Sequence, residues 1–179
     1  VLRAGHRRLD AAPRRLRVAR HAFTVAEADA LLPHVRGVFR RIDAYREAAR
    51  RRVDRLAVLD VLWGERVRET GHPDHGEFRA AHRGLTRIRH RLERLVDRGL
   101  TERGLRLPGG GLEHGLIDFP TTLDGRWIYL CWHKDEPAVQ HWHELRGGFV
   151  GRRPLTPDVG ARLALPSDPA RDDDRDLEG

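Results

Sequence analysis

Apolar residues recur every three or four positions along residues 28–59, and this spacing constrains the fold more than any other feature of the sequence. Because an α-helix has about 3.6 residues per turn, such spacing places the apolar side chains on one face and the many arginines on the others. The sequence therefore predicts a long amphipathic helix that packs through one side. Its apolar stripe comprises Ala28, Leu31, Leu32, Val35, Val38, Phe39, Ile42, Tyr45, Ala49, Val53, Leu56 and Leu59.

Local signals mark both ends of this helix. Thr24 can cap the first turn while Glu27, three residues later, returns a hydrogen bond to the Thr24 amide, and Phe23 occupies the apolar position before the cap. Pro33 lacks an amide proton, so a kink is expected near the second turn. The helix is expected to end near residues 63–64.

A second apolar stripe follows a polar loop. Gly99 is expected in the left-handed position just after this second helix. Two such helices joined by a loop form an antiparallel hairpin, which we assign to residues 24–99 and which also offers a surface for a homodimer. The second stripe comprises Phe78, Ala81, Leu85, Ile88, Leu92, Leu95 and Val96.

The remainder of the folded region is rich in β-forming residues. "GLIDFP" (115–120) and "RWIYLCW" (126–132) flank Asp124-Gly125, a strong hairpin signal, and "VQHWHEL" (139–145) is a candidate third strand. Residues 100–114, with three consecutive glycines after Pro108, are predicted to be a linker before the sheet at residues 115–157. The predicted fold class is α+β, with the long antiparallel helical hairpin packed on a small antiparallel β-sheet in one domain, residues 23–157.

Charge is concentrated at the two ends of the chain. Residues 1–22 hold seven arginines and one acid, and residues 158–179 are rich in Asp and Glu. We interpret them as a flexible Arg-rich N-terminal arm and an acidic disordered tail. The formal net charge is +7, and every basic residue except Lys134 is arginine, a bias that indicates a GC-rich coding sequence. Nucleic acid is therefore a partner that the composition does not favour.

Several classes of protein are excluded or disfavoured by what the sequence lacks. A single cysteine, Cys131, excludes an internal disulfide. No apolar run approaches the roughly 20 residues that cross a bilayer, and the N-terminus lacks the apolar segment of a signal peptide. The expected location is the cytoplasm, with no membrane partner.

The stretch "YLCWHKDEPAVQHWHEL" (129–145) concentrates side chains that bind metals. Strand alternation puts Cys131 and His133 on one face of the second strand, and His141 and His143 on one face of the third. If the two strands pair, these four residues form a candidate site for zinc or another transition-metal ion. Asp118 is then either a further oxygen ligand or a hydrogen-bond partner of a ligand. The alternative, which the residue types favour, is that the tryptophans pack the sheet on the hairpin and the histidines are ordinary surface or core residues. The sequence assigns no catalytic residue.

Two blocks of the sequence resemble a bacterial domain-of-unknown-function family, number 2203. They are "FTVAEADALLPHVRGVFRRI" and "GLIDFPTTLDGRWIYLCWHKDEPAVQHWHELRGGFVGRRPL", and together they extend the resemblance over roughly residues 22–156. The resemblance implies no activity. It implies variable positions at His133 and His141, and a shared pattern that includes Asp118, Cys131, Trp132, Trp142, His143, Phe149, Gly151 and Arg152.

On that basis we expect a ligand- or metal-binding module that acts through the C-terminal sheet. Trp132 and Trp142 are expected as walls of the site, His143 as a ligand or general base and Arg152 as an anchor for an anionic group. The complete expected ligand-binding set is Asp118, Trp132, Trp142, His143, Glu144 and Arg152. The alternative is an interaction module that binds nucleic acid or protein through the Arg-rich helix and the N-terminal arm.

Overall fold

A computed structural model describes residues 21–165, which form two long helices followed by a four-stranded sheet. The predicted N-terminal arm, apart from its last two residues, lies outside this range. The helices are α1 (Val25–Trp63), α2 (His75–Gly99), α3 (Gly111–His114) and α4 (Pro157–Gly160), and the strands are β1 (Leu116–Leu123), β2 (Arg126–His133), β3 (His141–Glu144) and β4 (Arg153–Pro154).

Helix α1 begins at the predicted capping box. The Glu27 amide donates to Thr24 Oγ1 at 3.2 Å, and the Thr24 amide donates to Glu27 Oε2 at 2.8 Å. Phe23 is buried before the cap, and Pro33 lies inside α1 without ending it. The start and the end of this helix are therefore where the sequence predicted them.

Replacing Thr24 by alanine is expected to lower the free energy of unfolding by about 1 kcal/mol, because the first turn of α1 loses its side-chain acceptor. Urea denaturation followed by circular dichroism measures the difference. Thr24→Ser keeps the hydroxyl and should retain most of the stability. Equal stability of the alanine variant and the wild type would show that the box contributes nothing.

Gly99 does not occupy the left-handed position expected for it. It is the last residue of α2, and the left-handed glycine is Gly104, with φ 79°. A Cβ at Gly99 would lie only 3.0 Å from Cγ2 of Val38. Gly99 therefore lets α2 approach α1 closely, and the chain reverses five residues later.

The sheet is antiparallel throughout, in the order β1-β2-β3-β4. Its register sets Asp118 opposite Cys131, and Cys131 opposite His141, while Tyr129 lies opposite His143. The inner face packs on α1, whose contribution to the core includes Leu32, Val35, Phe39 and Ile42. The core residues of the sheet include Ile117, Phe119, Ile128, Leu130, Trp132 and Trp142. This arrangement confirms the predicted α+β fold.

The segments that flank the sheet are more structured than the predicted linker and tail. Arg106 forms a β-bridge with Asp118 through two backbone hydrogen bonds, so residues near 106 extend the sheet beyond β1. After the sheet, Leu163 is buried and bridges Leu123, and Arg162 pairs with Asp124. Residues 158–165, assigned to the tail by the sequence, thus pack on the β1–β2 turn; residues 166–179 lie outside the described range.

The hairpin is longer than the sheet that it covers. Helix α1 has 39 residues, about 58 Å at 1.5 Å per residue, whereas the eight residues of β1 extend about 27 Å. We call residues 46–90 the hairpin arm; its buried hydrophobic residues Leu59, Val67 and Ala81 are not part of the main core. Val61, with 86% of its surface exposed, and Leu62, with 60%, lie in this arm. A homodimer through the hairpin stays a prediction.

Among residues 21–165, no helix has both the length and the apolar character of a membrane-spanning segment.

Candidate metal centre

A cleft of about 500 Å³ opens on the outer face of the sheet, opposite the helices. The segment near residue 106 forms one side, and the turn after β3 forms the other. Asp118, Cys131 and His143 lie in it, and its walls include Arg106, Pro108, Leu145, Arg146 and Phe149.

The three polar residues of the cleft come together because of strand register. Asp118 and Cys131 are direct cross-strand partners, so their side chains leave the same face of the sheet. His143 pairs with Tyr129, two residues before Cys131 on β2, which puts its imidazole diagonally next to the thiol. One ligand atom from each residue lies within 4.8 Å of the other two. All three residues are at most 1% exposed.

The hydrogen bond from His143 to the Glu144 backbone shows which ring nitrogen of His143 carries a proton. Its Nδ1 lies 2.7 Å from the backbone oxygen of Glu144, which only accepts, so Nδ1 carries the proton. Its Nε2 lies 3.3 Å from Asp118 Oδ1. The ring of Tyr129 packs at 5.6 Å between centroids and limits rotation of the imidazole.

The second oxygen of Asp118 is held from the other side. Arg106 Nη1 donates to Asp118 Oδ2 at 2.9 Å, and the Arg106 guanidinium lies 4.7 Å from the centre of the Tyr129 ring. The Asp118 carboxylate thus points one oxygen at an arginine and the other at His143. This orientation is fixed by the backbone bridge between residues 106 and 118.

The cluster changes the acidity of two of its groups. Burial and the nearby Asp118 carboxylate raise the pKa of the Cys131 thiol to about 12, so in this environment the group is a thiol and not a nucleophilic thiolate. Burial works against protonation of His143, but the hydrogen bonds to Asp118 and to the Glu144 carbonyl raise its pKa above the ordinary value.

Two of the four predicted metal ligands make other contacts. The side chain of His133 is 27% exposed and lies 3.6 Å from Asp135. His141 Nδ1 accepts from Arg152 Nη2 at 2.9 Å. Cys131 and His143 are therefore brought together with Asp118, whereas His133 and His141 are not part of the cluster.

Arg152 is bound to a carboxylate rather than open to an anionic ligand. Its Nη2 donates to Glu136 Oε1 and to His141 Nδ1, and the backbone oxygen of Cys131 lies farther away, at 3.4 Å. Glu136 also accepts from the His133 amide at 2.9 Å. The group ties the β2–β3 connection to the segment before β4, behind the strand that carries Cys131.

Glu136→Gln is expected to lower the free energy of unfolding at pH 7 by about 1.5–3 kcal/mol, since Arg152 loses its charged acceptor. Burial alone would raise the pKa of Glu136, but Arg152 and the His133 amide lower it. A lowered folded pKa adds stability that is complete above the unfolded pKa of about 4.3 and is lost as the pH falls through the folded pKa. Urea denaturation at several pH values should show wild type and variant converging below pH 4; a constant difference would contradict the role of the charge.

The remaining predicted site residues lie away from the cleft. Trp132 and Trp142 point to the opposite face and pack in the core, because their neighbours Cys131 and His143 occupy the outer face. Trp132 Nε1 donates to the Glu136 backbone oxygen at 3.0 Å. Glu144 is exposed and lies 3.8 Å from Arg153. The tryptophans therefore do not wall the cleft.

Two arginines of the cleft were missed in the sequence. Arg106 lay in the predicted linker, where the one available signal was its alternation with Leu105 and Leu107, which both pack on the core. Arg146 follows β3 in a Gly-rich turn, and no local pattern indicates that this turn folds over the outer face.

Comparison with known families gives a match over most of the chain. The family described as an uncharacterized conserved protein (DUF2203) matches residues 21–155, a range that contains Asp118, Cys131 and His143. No curated protein and no solved structure gave a match. The resemblance noted in the sequence is thereby confirmed: the chain belongs to the DUF2203 family.

Proposed function

We propose that this protein binds a divalent transition-metal ion, with zinc as the best fit, through Asp118, Cys131 and His143. The observation that carries the proposal is the surroundings of His143. Its Nδ1 donates to a backbone carbonyl, the usual outer contact of a metal-binding histidine, and so its Nε2 is left for a ligand bond. That Nε2 faces Asp118 Oδ1 at 3.3 Å, so a metal ion that replaces the Nε2 proton would lie between two ligand atoms.

The distance between His143 Nε2 and Asp118 Oδ1 is consistent with a metal ion bound to both atoms. Two ligands bonded to tetrahedral zinc at about 2.0–2.1 Å are about 3.3 Å apart, and the observed distance from Nε2 to Oδ1 is 3.3 Å. As a hydrogen bond in the metal-free site this contact is long, because charge-assisted hydrogen bonds are usually about 2.7–2.9 Å. Cys131 adds a third donor, since one ligand atom of each of the three residues lies within 4.8 Å of the other two.

Charge balance also supports the proposal. With His143 in the protonated form, which its hydrogen bonds favour, the metal-free site holds a thiol, an imidazolium and a carboxylate, whose charges sum to zero. A divalent ion displaces one proton from Cys131 and one from His143, and the sum stays at zero. The buried cluster therefore exchanges two protons for one divalent cation without gaining net charge, which avoids the main cost of burying an ion.

The donor set suits zinc and leaves room for another ligand. One sulfur, one nitrogen and one oxygen are a mixed set of the kind that zinc accepts. Three protein ligands leave a fourth tetrahedral position, and the cleft opens on the same side of the sheet. Sites with three protein ligands and an open position are typical of zinc that binds a water or a small molecule.

Zinc titration of chelator-treated protein tests the proposal. We expect one equivalent to bind, and at a free zinc concentration of 100 times Kd the stability should rise by about 2.7 kcal/mol, or about 5–10 °C in Tm. Cobalt should give a sulfur-to-metal charge-transfer band that is absent from Cys131→Ser. Less than about a tenth of an equivalent of bound zinc, with an unchanged Tm, would leave His143 and Asp118 as a buried ion pair and refute the proposal.

A further inference from the structure

A second concave site lies on the hairpin, far in sequence from Asp118, Cys131 and His143. It is a groove of about 410 Å³ between α1 and α2. Its floor is apolar and includes Val38 and Leu95, and its polar lining consists of His34, Arg41, Tyr45, Arg91, Arg94 and Arg98. No acidic residue lines the groove in the described part of the chain.

Several arginines elsewhere on the same helices are paired with acidic side chains, unlike the four that line this groove in the described part of the chain. Arg50 and Arg51 pair with Glu47, and Arg55 pairs with Glu77 across the hairpin. Within residues 21–165, none of the four groove arginines makes an ion pair. Four like charges around one concavity repel one another, and the local excess attracts anions.

The groove is built on a rigid frame. At Gly99 the helices are close, since a Cβ there would lie 3.0 Å from Val38 Cγ2, and His34 Nε2 lies 2.9 Å from the backbone oxygen of Gly99. The four arginines therefore project from two helices whose separation is fixed at this point. Donors carried by helices hold their positions better than donors on loops, which favours a defined ligand over diffuse counterions.

We propose that this groove binds a small ligand with two phosphate groups. Two phosphate monoesters carry about −3 to −4 at pH 7, which balances the four guanidinium groups. The planar guanidinium donates two parallel hydrogen bonds to a phosphate, a geometry that lysine cannot offer. The volume, about 410 Å³, falls in the range of small-molecule sites. This proposal is independent of the metal centre.

Calorimetric titration of the full chain with inorganic pyrophosphate, without added metal, tests the proposal. We expect binding with a Kd below about 1 mM. The double variant Arg94→Gln/Arg98→Gln should bind about a hundredfold more weakly, since each charged hydrogen-bond partner is worth about tenfold or more. Arg50→Gln/Arg51→Gln removes the same charge from α1 outside the groove and should change the Kd by less than about twofold.

A third variant separates geometry from charge. Arg94→Lys/Arg98→Lys keeps both charges and is expected to lose about tenfold in affinity, because the paired hydrogen bonds are lost. Equal weakening by the groove pair and the control pair would show a non-specific charge effect and overturn the proposal. Absence of pyrophosphate binding, or binding of an oligonucleotide that pyrophosphate does not displace, would overturn it as well, the latter in favour of nucleic acid.

Discussion

His143→Asn is expected to weaken zinc binding by at least about a hundredfold, whereas His133→Asn should leave the affinity unchanged within about twofold. Both histidines lie in the same short stretch, and both were candidate ligands on strand alternation alone. The structure separates them, since His143 is buried against Asp118 and His133 faces Asp135 near solvent. The pair is therefore a matched test of the three-residue cluster against the four-ligand set predicted from the sequence.

Competition with a chromophoric chelator measures both affinities. Asparagine removes the imidazole but keeps a side chain of similar polarity, and the Tm of each variant without metal shows whether the fold is intact. Asp118→Asn is a second test in the same assay. It should also weaken zinc binding, since it removes the charge that faces both His143 and Arg106. An equal loss of zinc affinity in the His133 and His143 variants would contradict the three-residue site. So would His143→Asn protein that binds zinc with wild-type affinity.

Trp132→Ala is expected to lower the free energy of unfolding by about 3–5 kcal/mol. Trp132 is fully buried and packs on Phe39 of α1, with ring centroids 6.3 Å apart. Its Nε1 donates to the Glu136 backbone oxygen, and the Arg36 guanidinium lies 5.3 Å from its ring. Removal of the indole leaves a cavity between helix and sheet, while the Glu136 carbonyl keeps its hydrogen bond from Arg36 Nη2 at 3.0 Å.

Trp63→Ala is the control for this loss. Trp63 is 39% exposed at the end of α1 and contacts His72 at 4.9 Å between ring centroids, so its removal should cost less than about 1 kcal/mol. Urea denaturation monitored by circular dichroism gives both values, and Trp132→Phe, with a smaller cavity, keeps the series measurable if the alanine variant does not fold. Similar losses at the two positions would contradict the assignment of Trp132 to the core.

Most of the fold follows from local patterns in the sequence. The spacing of apolar residues, the Thr24–Glu27 box and the Asp124-Gly125 turn each act within a few residues, so their effect can be predicted before any tertiary contact is known. Gly99 shows where such reasoning ends. Its position follows from the closeness of Val38, more than 60 residues earlier, and not from helix termination.

The site was predictable only in part, for a related reason. Alternation correctly placed Cys131 and His143 on one face, but it could not show that Arg152, paired with Glu136, would also donate to His141. Arg106 was missed because its bridge to β1 is a long-range pairing with no turn to mark it. The tryptophans were expected near the ligand although alternation itself assigned them to the other face, and packing against α1 follows that alternation.

Helix α1 belongs to two regions that differ in the number of buried side chains. Its first half packs through Leu32, Val35 and Ile42 into the main core, whereas the part in the hairpin arm contributes only Leu59 to the buried set. The backbone amides along this single helix are therefore expected to exchange with solvent by two routes. Those near the sheet become accessible only when the whole protein unfolds, while those of the arm become accessible through local fraying that leaves the cleft and the groove intact.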